Sequence, residues 1–302
     1  MNNKRLDDRY PQYFFFMCAF ITVSVAVYFI LFIFNTAMPT FQSQGIINFL
    51  TGTVWSYDDN IYGIRTFIAG TIVITIVSLI IAVPISVFTA IFLSEYASSN
   101  VASTIRPFIE LLVGIPSVVY GIFGLFVLEN FFQNNIDPLI SALSFIPIFE
   151  DLTPNRGNGV LLASTVLAIM ILPTITSLSE NAMRSVPFDY REASFAIGAT
   201  HWETIKKIVL PTASPGILTA IILGMMRAMG ETMAIVMLLG NVGHVPGSIL
   251  DTGYAMTSKI LNDIGYYSAM DGPRSALFAI AAVLFAIEIF FVAAARRIGG
   301  SR

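Results

Sequence analysis

Arg227 and Glu231 stand in an apolar run, 214–239, that holds no other charged residue. A run of that length crosses a bilayer as a helix. A charge at mid-membrane costs several kcal/mol and usually faces a cavity or a partner. At i and i+4 the two side chains share one helix face and can pair, and Gly230 leaves room for close packing beside them. Read as structure, they are an ion pair that fixes helix packing. Read as chemistry, Arg227 offers a transient site to an anion, because a guanidinium fork suits a tetrahedral oxyanion. Glu231 would then satisfy the arginine when no anion is present and discourage trapping, since a translocation site must be weak enough to release its cargo. Met225, Met226, Met229 and Met233 surround the pair. Flexible methionine suits a moving site, although a plain apolar helix face is the simpler account of them.

A second constellation lies at 185–211. Phe188 and Asp189 follow Pro187, a sound place to open a helix, and residues 192–197 favour helix. Gly198 can adopt the left-handed turn that ends it. Thr200 can cap a second helix with Glu203 as its capping-box partner three residues on. Pro211 then punctuates the approach to the run that carries Arg227. Taken alone, helix, glycine turn and helix make an amphipathic loop on a membrane surface.

The elements that must position these residues follow from the apolar runs. The chain has 302 residues, 56% hydrophobic and 12% charged, about half the charge of a soluble domain. Six runs predict an all-α integral membrane protein with spans near 13–34, 66–93, 107–128, 159–179, 214–239 and 275–295, in one transmembrane domain over 13–297 with tails at 1–12 and 298–302. The second run makes about 42 Å of helix at 1.5 Å per residue, longer than the hydrocarbon core, so it tilts, bends at Pro84 or projects. Gly114, Pro116, Gly121 and Gly124 predict a bend and close packing in the third, and Pro173 a kink in the fourth. Segment 138–149 is apolar but too short to cross and reads as interfacial or re-entrant. The first run is too long for a cleavable signal core, and no small-x-small site follows it. Thr71, Thr75, Ser78, Ser86 and Thr89 could line a polar path, but helix–helix contact is the more ordinary use. Glu110, Glu129 and Glu288 read as span-end residues exposed to headgroups.

Orientation follows from Lys and Arg. With the N-terminus inside, eleven of the sixteen lie on inner segments, four (Arg65, Arg156, Lys259, Arg274) on outer ones, and Arg227 within a span. Both ends are therefore expected in the cytoplasm. The formal net charge of −3 argues against a nucleic-acid partner. The single cysteine, Cys18, cannot form an internal disulfide. No nucleotide-cradling, zinc-protease or nucleophile-elbow motif is present. His201 and His244 fall in loops on opposite sides, cannot share a metal, and read as solvated surface residues.

The spacing Glu192-Ala193-Ser194, then Gly198, then Ile208-x-Leu210-Pro211, resembles the EAA loop of ABC importer permeases, with Ser194 where that pattern has alanine. The resemblance implies the type I importer permease fold and a coupling loop, 185–211, whose residues Glu192, Ala193, Ser194, Gly198, Leu210 and Pro211 seat against an ATPase and transmit its closure to the spans. Arg227-Ala-x-Gly230-Glu231-Thr232 is similar to the permeases of phosphate importers. The continuation Met233-Ala-Ile-Val with Gly240-Asn241, the segments Tyr62-Gly-Ile and Gly70-Thr71-Ile, and Leu93-Ser-Glu95-Tyr96-Ala97 resemble the PstC family among them. That resemblance implies a multi-pass subunit of the bacterial plasma (inner) membrane that is not an enzyme. It implies a heterodimer with a PstA-like permease, two PstB-like ATPase subunits that use ATP and magnesium, and a PstS-like phosphate-binding protein outside. It implies no cofactor or metal on this chain. The substrate would be inorganic phosphate, with sulfate or molybdate as the alternative.

Overall fold

In a bilayer every backbone amide and carbonyl must find its partner within the protein, which leaves helices as the spanning solution for these apolar runs. The computed structural model describes residues 9–142, 145–149 and 157–299. The chain begins with α1 (Arg9–Gln44) and the short α2 (Ile46–Thr51). A small antiparallel hairpin follows, β1 (Trp55–Ser56) and β2 (Ile61–Tyr62), with Trp55 opposite Tyr62. The bundle continues with α3 (Arg65–Ile91), α4 (Ser99–Gly114), α5 (Ser117–Ile140) and α6 (Val160–Arg184). Beyond it lie α7 (Phe188–Ala196), α8 (His201–Met229), α9 (Met233–Leu238), α10 (Met256–Tyr267) and α11 (Asp271–Gly299).

Among the described residues, α1, α3, α6, α8 and α11 are each long and apolar enough to cross a membrane, and α4 with α5, bent by 92°, is long and apolar enough as a pair to be a sixth. Up to six spans agree with expectation, and the third bends where Gly114 and Pro116 predict. Its elbow sits at Ile115-Pro116, where Ile115 takes an extended conformation, as a residue before proline tends to do. The Tyr120 hydroxyl donates to the Leu112 carbonyl at 3.0 Å and so satisfies an acceptor in the last turn of α4 that has lost its helical partner. Of segment 138–149, the first residues continue α5 and 147–149 form one 3₁₀ turn. Residues 143–144, Arg156 and the extreme tails lie outside the described residues.

α6 is the central pillar. Two thirds of its apolar window is buried, and it packs most extensively on α3 and α8. Ile74 and Ala82 of α3, Leu167, Ile171 and Ile175 of α6, and Ala220 of α8 form the main core. The approach of α8 is close because its glycines face α6: a Cβ on Gly224 would fall 2.6 Å from Ile175, and one on Gly216 2.5 Å from Ala182. Small residues at helix contacts are the usual membrane solution. The hydroxyls of α3 serve this packing. Ser86 donates to the Leu172 carbonyl across the interface, and Thr71 accepts from the Met256 amide. Thr89 alone of the five is not fully buried, and it bonds back to Ile85. Pro173 stands inside α6 without ending it.

A second core joins α1, α2, the hairpin and α11 through Ala37, Phe49, Ile64, Phe67, Leu277 and Ile280. At the edge of this core Lys259 of α10 is enclosed by rings, 5.0 Å from the centroid of Trp55 and 5.4 Å from that of Tyr57. Its ammonium pairs with Asp263 at 2.6 Å, and the Tyr57 hydroxyl donates to the same carboxylate. Burial first, then that hydrogen bond, pushes the Tyr57 phenol well above the ordinary tyrosine range. Lys259 is therefore an enclosed anchor of the hairpin.

Candidate functional site

The run that carries Arg227 and Glu231 does not form one span-long helix. α8 ends at Met229, residues 230–232 leave the helix, and α9 resumes at Met233. The expected i,i+4 face is thereby lost. Arg227 sits on the last turn of α8 and forms no ion pair among the described residues. Its Nη1 lies 3.5 Å from the Thr174 hydroxyl of α6, a loose contact for a hydrogen bond. Glu231 Oε1 instead accepts from the Ala234 amide at 3.2 Å, at the first turn of α9. The Glu231 carbonyl accepts from Thr257 of α10 at 2.8 Å. The carboxylate holds the break and the arginine is left half-exposed beside it. Non-helical backbone at membrane depth is tolerated where protein buries it or where it borders a water-filled cavity.

Gly230 does not serve close packing. A Cβ there would lie 3.5 Å from the Met226 carbonyl and 3.9 Å from Glu288 Oε1, both ordinary contacts. That second neighbour corrects the reading of Glu288 as a span-end residue. It lies well inside α11, is half-buried, and brings a carboxylate to the break. The rule that flagged Arg227, an intramembrane charge, applies equally to Glu288, which lies well inside the span drawn at 275–295. Met229 is buried and Met233 exposed, so the methionines form no common lining.

The second constellation forms as expected. α7 runs from Phe188 to Ala196, and Gly198 takes φ +86°, where side-chain-bearing residues are strained. Thr200 and Glu203 form a capping box, with both reciprocal bonds in place at the start of α8. Ser194 is buried and its hydroxyl lies 2.8 Å from that of Thr204. The residue that departs from alanine thus ties the two helices together. Glu192 and Ala193 are exposed, as is Pro211, while Leu210 is half-buried. Phe188, Tyr190 and Ile197 present further exposed apolar surface on this loop.

The long-range contact that seats the loop was not read from the sequence. Arg191 binds Glu95, at the end of the second span, at 2.8 Å, and its two Nη groups also donate to the carbonyls of Val186 and Met183. Both partners in the ion pair are largely buried. Behind the loop lies a cavity of about 520 Å³ bounded by Glu95, Arg184, Arg191 and Thr204 among others. His201 is exposed against the Tyr96 and Phe195 rings. His244 is not a merely solvated residue, because its Nε2 pairs with the buried Asp251 at 2.8 Å. No cluster of metal-binding side chains occurs among the described residues.

A helical bundle with a broken fifth span and a rigid helix–turn–helix at one end defines an importer permease. The chain is similar in fold to a permease of a bacterial alginate ABC transporter, with a TM-score of 0.60 over 94% of this chain and 96% of that one at 16% identity. It is also similar to a chain of the MetNI methionine ABC transporter, at 0.53 over 79% and 94% with 20% identity. Residues 82–299 match the family described as binding-protein-dependent transport system inner membrane component, and the chain belongs to that family. It is 36% identical to a probable ABC transporter permease, YqgH of Bacillus subtilis, across 99% of this chain and 93% of that protein. It is 35% identical to the phosphate transport system permease PstC of Xylella fastidiosa across 84% and 79%, and 36% identical to that of Mesorhizobium japonicum across 82% and 77%. The protein is a multi-pass inner-membrane transport subunit, not an enzyme.

Proposed function

We propose that this chain is the permease subunit of an ABC importer that carries inorganic phosphate into the cytoplasm, with both of its termini on that side. The observation that carries the reading is Arg227. It is a guanidinium at a helix break inside the membrane, without a carboxylate partner among the described residues, in the Arg-Ala-Met-Gly-Glu-Thr setting, in a chain whose relatives include phosphate permeases. A planar fork of donors suits a tetrahedral oxyanion. Among the described residues the fork makes one loose contact, to Thr174, and is free to take up an anion and give it back.

In this reading a PstA-like permease completes the pathway, and a PstS-like binding protein delivers phosphate to the outer surface. Two PstB-like subunits bind ATP and magnesium and seat against the exposed face of α7. Closure of the ATPases moves α7, which Arg191 ties to α6 and to the end of α3, and the spans rearrange around Arg227. This chain makes and breaks no covalent bond.

The test is ATP-dependent uptake of labelled phosphate into vesicles carrying the full complex, native or Arg227→Gln, with sulfate as competitor. Native uptake without sulfate competition, lost in an assembled mutant, supports the proposal. Accumulation of sulfate or molybdate in place of phosphate would replace the substrate and keep the transporter. Normal transport by the mutant would make Arg227 a packing residue.

A further inference from the structure

Below Arg227, α6 carries polar residues on one face. Thr174, Ser177, Asn181 and Arg184 follow at intervals of three, four and three residues, the spacing that stacks side chains along a helix. The upper end touches Arg227 through Thr174. The lower end opens into a separate cavity of about 90 Å³ between α4 and α6, lined by Arg106, Glu110, Thr176, Ser177, Glu180, Asn181 and Arg184 together with Ile109. Pockets for organic ligands start near 300 Å³, so this volume is on the scale of a small ion.

The charges there are unevenly matched. Glu180 is almost wholly buried, and every ionic contact it makes falls on one oxygen. Arg106 Nε and Nη2 reach Oε1 at 2.8 and 2.6 Å, and Arg184 Nη1 approaches it at 3.6 Å. Arg106 and Arg184 are each partly exposed. Glu110, the other carboxylate at this cavity, is exposed and pairs with neither arginine. The side chains of Thr176, Ser177 and Asn181 make no hydrogen bond among the described residues. Two guanidinium groups, one buried carboxylate and three open polar side chains around an ion-sized space make a place where an oxyanion can compete with Glu180 for the arginines.

We infer that Arg106, Arg184, Ser177 and Asn181 form an inner oxyanion station, the last protein contact of the transported anion, with Glu180 as the resident carboxylate that keeps its affinity low. The inference rests on the reading of this chain as an oxyanion permease. The anion leaves Arg227 along the Thr174–Asn181 face, takes the arginines while Glu180 yields them, and is expelled when Glu180 returns. Arg184 also borders the cavity behind the coupling loop, and three residues separate it from α7. The station is therefore placed to empty in step with the ATPase.

Binding of labelled inorganic phosphate to the purified complete complex, without binding protein or nucleotide, tests this. Glu180→Gln should tighten phosphate binding about tenfold, one factor of ten corresponding to about 1.4 kcal/mol. The gain should vanish when Arg106→Gln and Arg184→Gln are added and persist when Arg227→Gln is added instead. No gain, or a gain that survives loss of both arginines, would reduce the cluster to a structural ion network and overturn the inference. A gain for labelled sulfate alone would keep the station and overturn the phosphate reading, which native uptake checks independently. Should Glu180→Gln fail to assemble, Arg184→Gln alters only a half-exposed side chain. It should slow phosphate uptake at least threefold with the ATPase still bound, and uptake at the native rate would overturn the station.

Discussion

The Arg191 guanidinium grips Glu95 at 2.8 Å across 96 residues of chain while donating to the carbonyls of Met183 and Val186. One side chain thus joins α7 to the lower ends of both α3 and α6. An importer needs such a joint, because force applied to a loop that slid freely would not reach the spans.

Removing that joint should uncouple the machine. Arg191→Ala leaves Glu95 buried without its partner, a loss on the order of 3 kcal/mol for a buried pair. Uptake should fall tenfold or more in complexes that still hydrolyse ATP. The paired change Glu95→Leu with Arg191→Met leaves no orphan charge. It should cost less stability than the two single changes added together, read from thermal melting of the complex as a double-mutant cycle.

Ser194→Ala should be mild. It removes the bond to Thr204, whose hydroxyl still donates to the Thr200 carbonyl at 3.1 Å. The expected loss is about 1 kcal/mol with transport retained. Ser194→Leu places bulk where the side chain is buried and should abolish co-purification of the ATPase. Equal behaviour of the two variants would remove the tie between the loop helices.

At Gly198 the requirement is conformational rather than spatial. Nothing lies within 4 Å of a Cβ built there, but φ is +86°. Gly198→Asn should therefore assemble nearly as the native chain does. Gly198→Val should lose about 1–2 kcal/mol and weaken ATPase binding. Gly230 behaves oppositely: it has an ordinary negative φ and room for a methyl group. Gly230→Ala should transport phosphate within about twofold of native on the strength of that ordinary contact.

The aromatic cage around Lys259 has an alkaline signature. The Tyr57 phenol is held above its ordinary value, so the folded state keeps a proton that the unfolded chain gives up near pH 10. Its contribution is complete below about pH 10 and is lost as pH rises toward the folded value. The melting temperature of the complex should fall from about pH 10 upward, and Tyr57→Phe should flatten that slope. An unchanged slope would show that other groups set it.

Much of the loop at 185–211 was legible, because its signals are local. The capping pair Thr200–Glu203, the turn at Gly198 and the elbow announced by Gly114 and Pro116 each act within a few residues of themselves. The proposed site at Arg227 was less so. Residues 230–239 contain no proline and continue the apolar run, and the local marks of the break after Met229 are no more than Gly230 and Thr232, which cap the helices on either side. The expected pairing of Arg227 with Glu231 assumed a helix that packing against α10, through Thr257, does not allow to continue. Glu288, Arg106–Glu180 and Arg191–Glu95 depend on which helices meet, and a single sequence shows depth and periodicity but not neighbours.

Pro173 removes one helical hydrogen bond from α6, and below it the helix runs unbroken from Thr174 to Arg184, about 15 Å at 1.5 Å per residue. Thr174 touches Arg227, Glu180 receives Arg106, and Arg184 adjoins the loop to α7. A segment this short and continuous behaves as a rod. Its two ends share one stroke, so the mid-membrane contact and the inner mouth have no means of moving in separate beats. The transport cycle of this subunit should accordingly show one concerted displacement of this segment, in which the contact at Arg227, the inner station and the loop shift together.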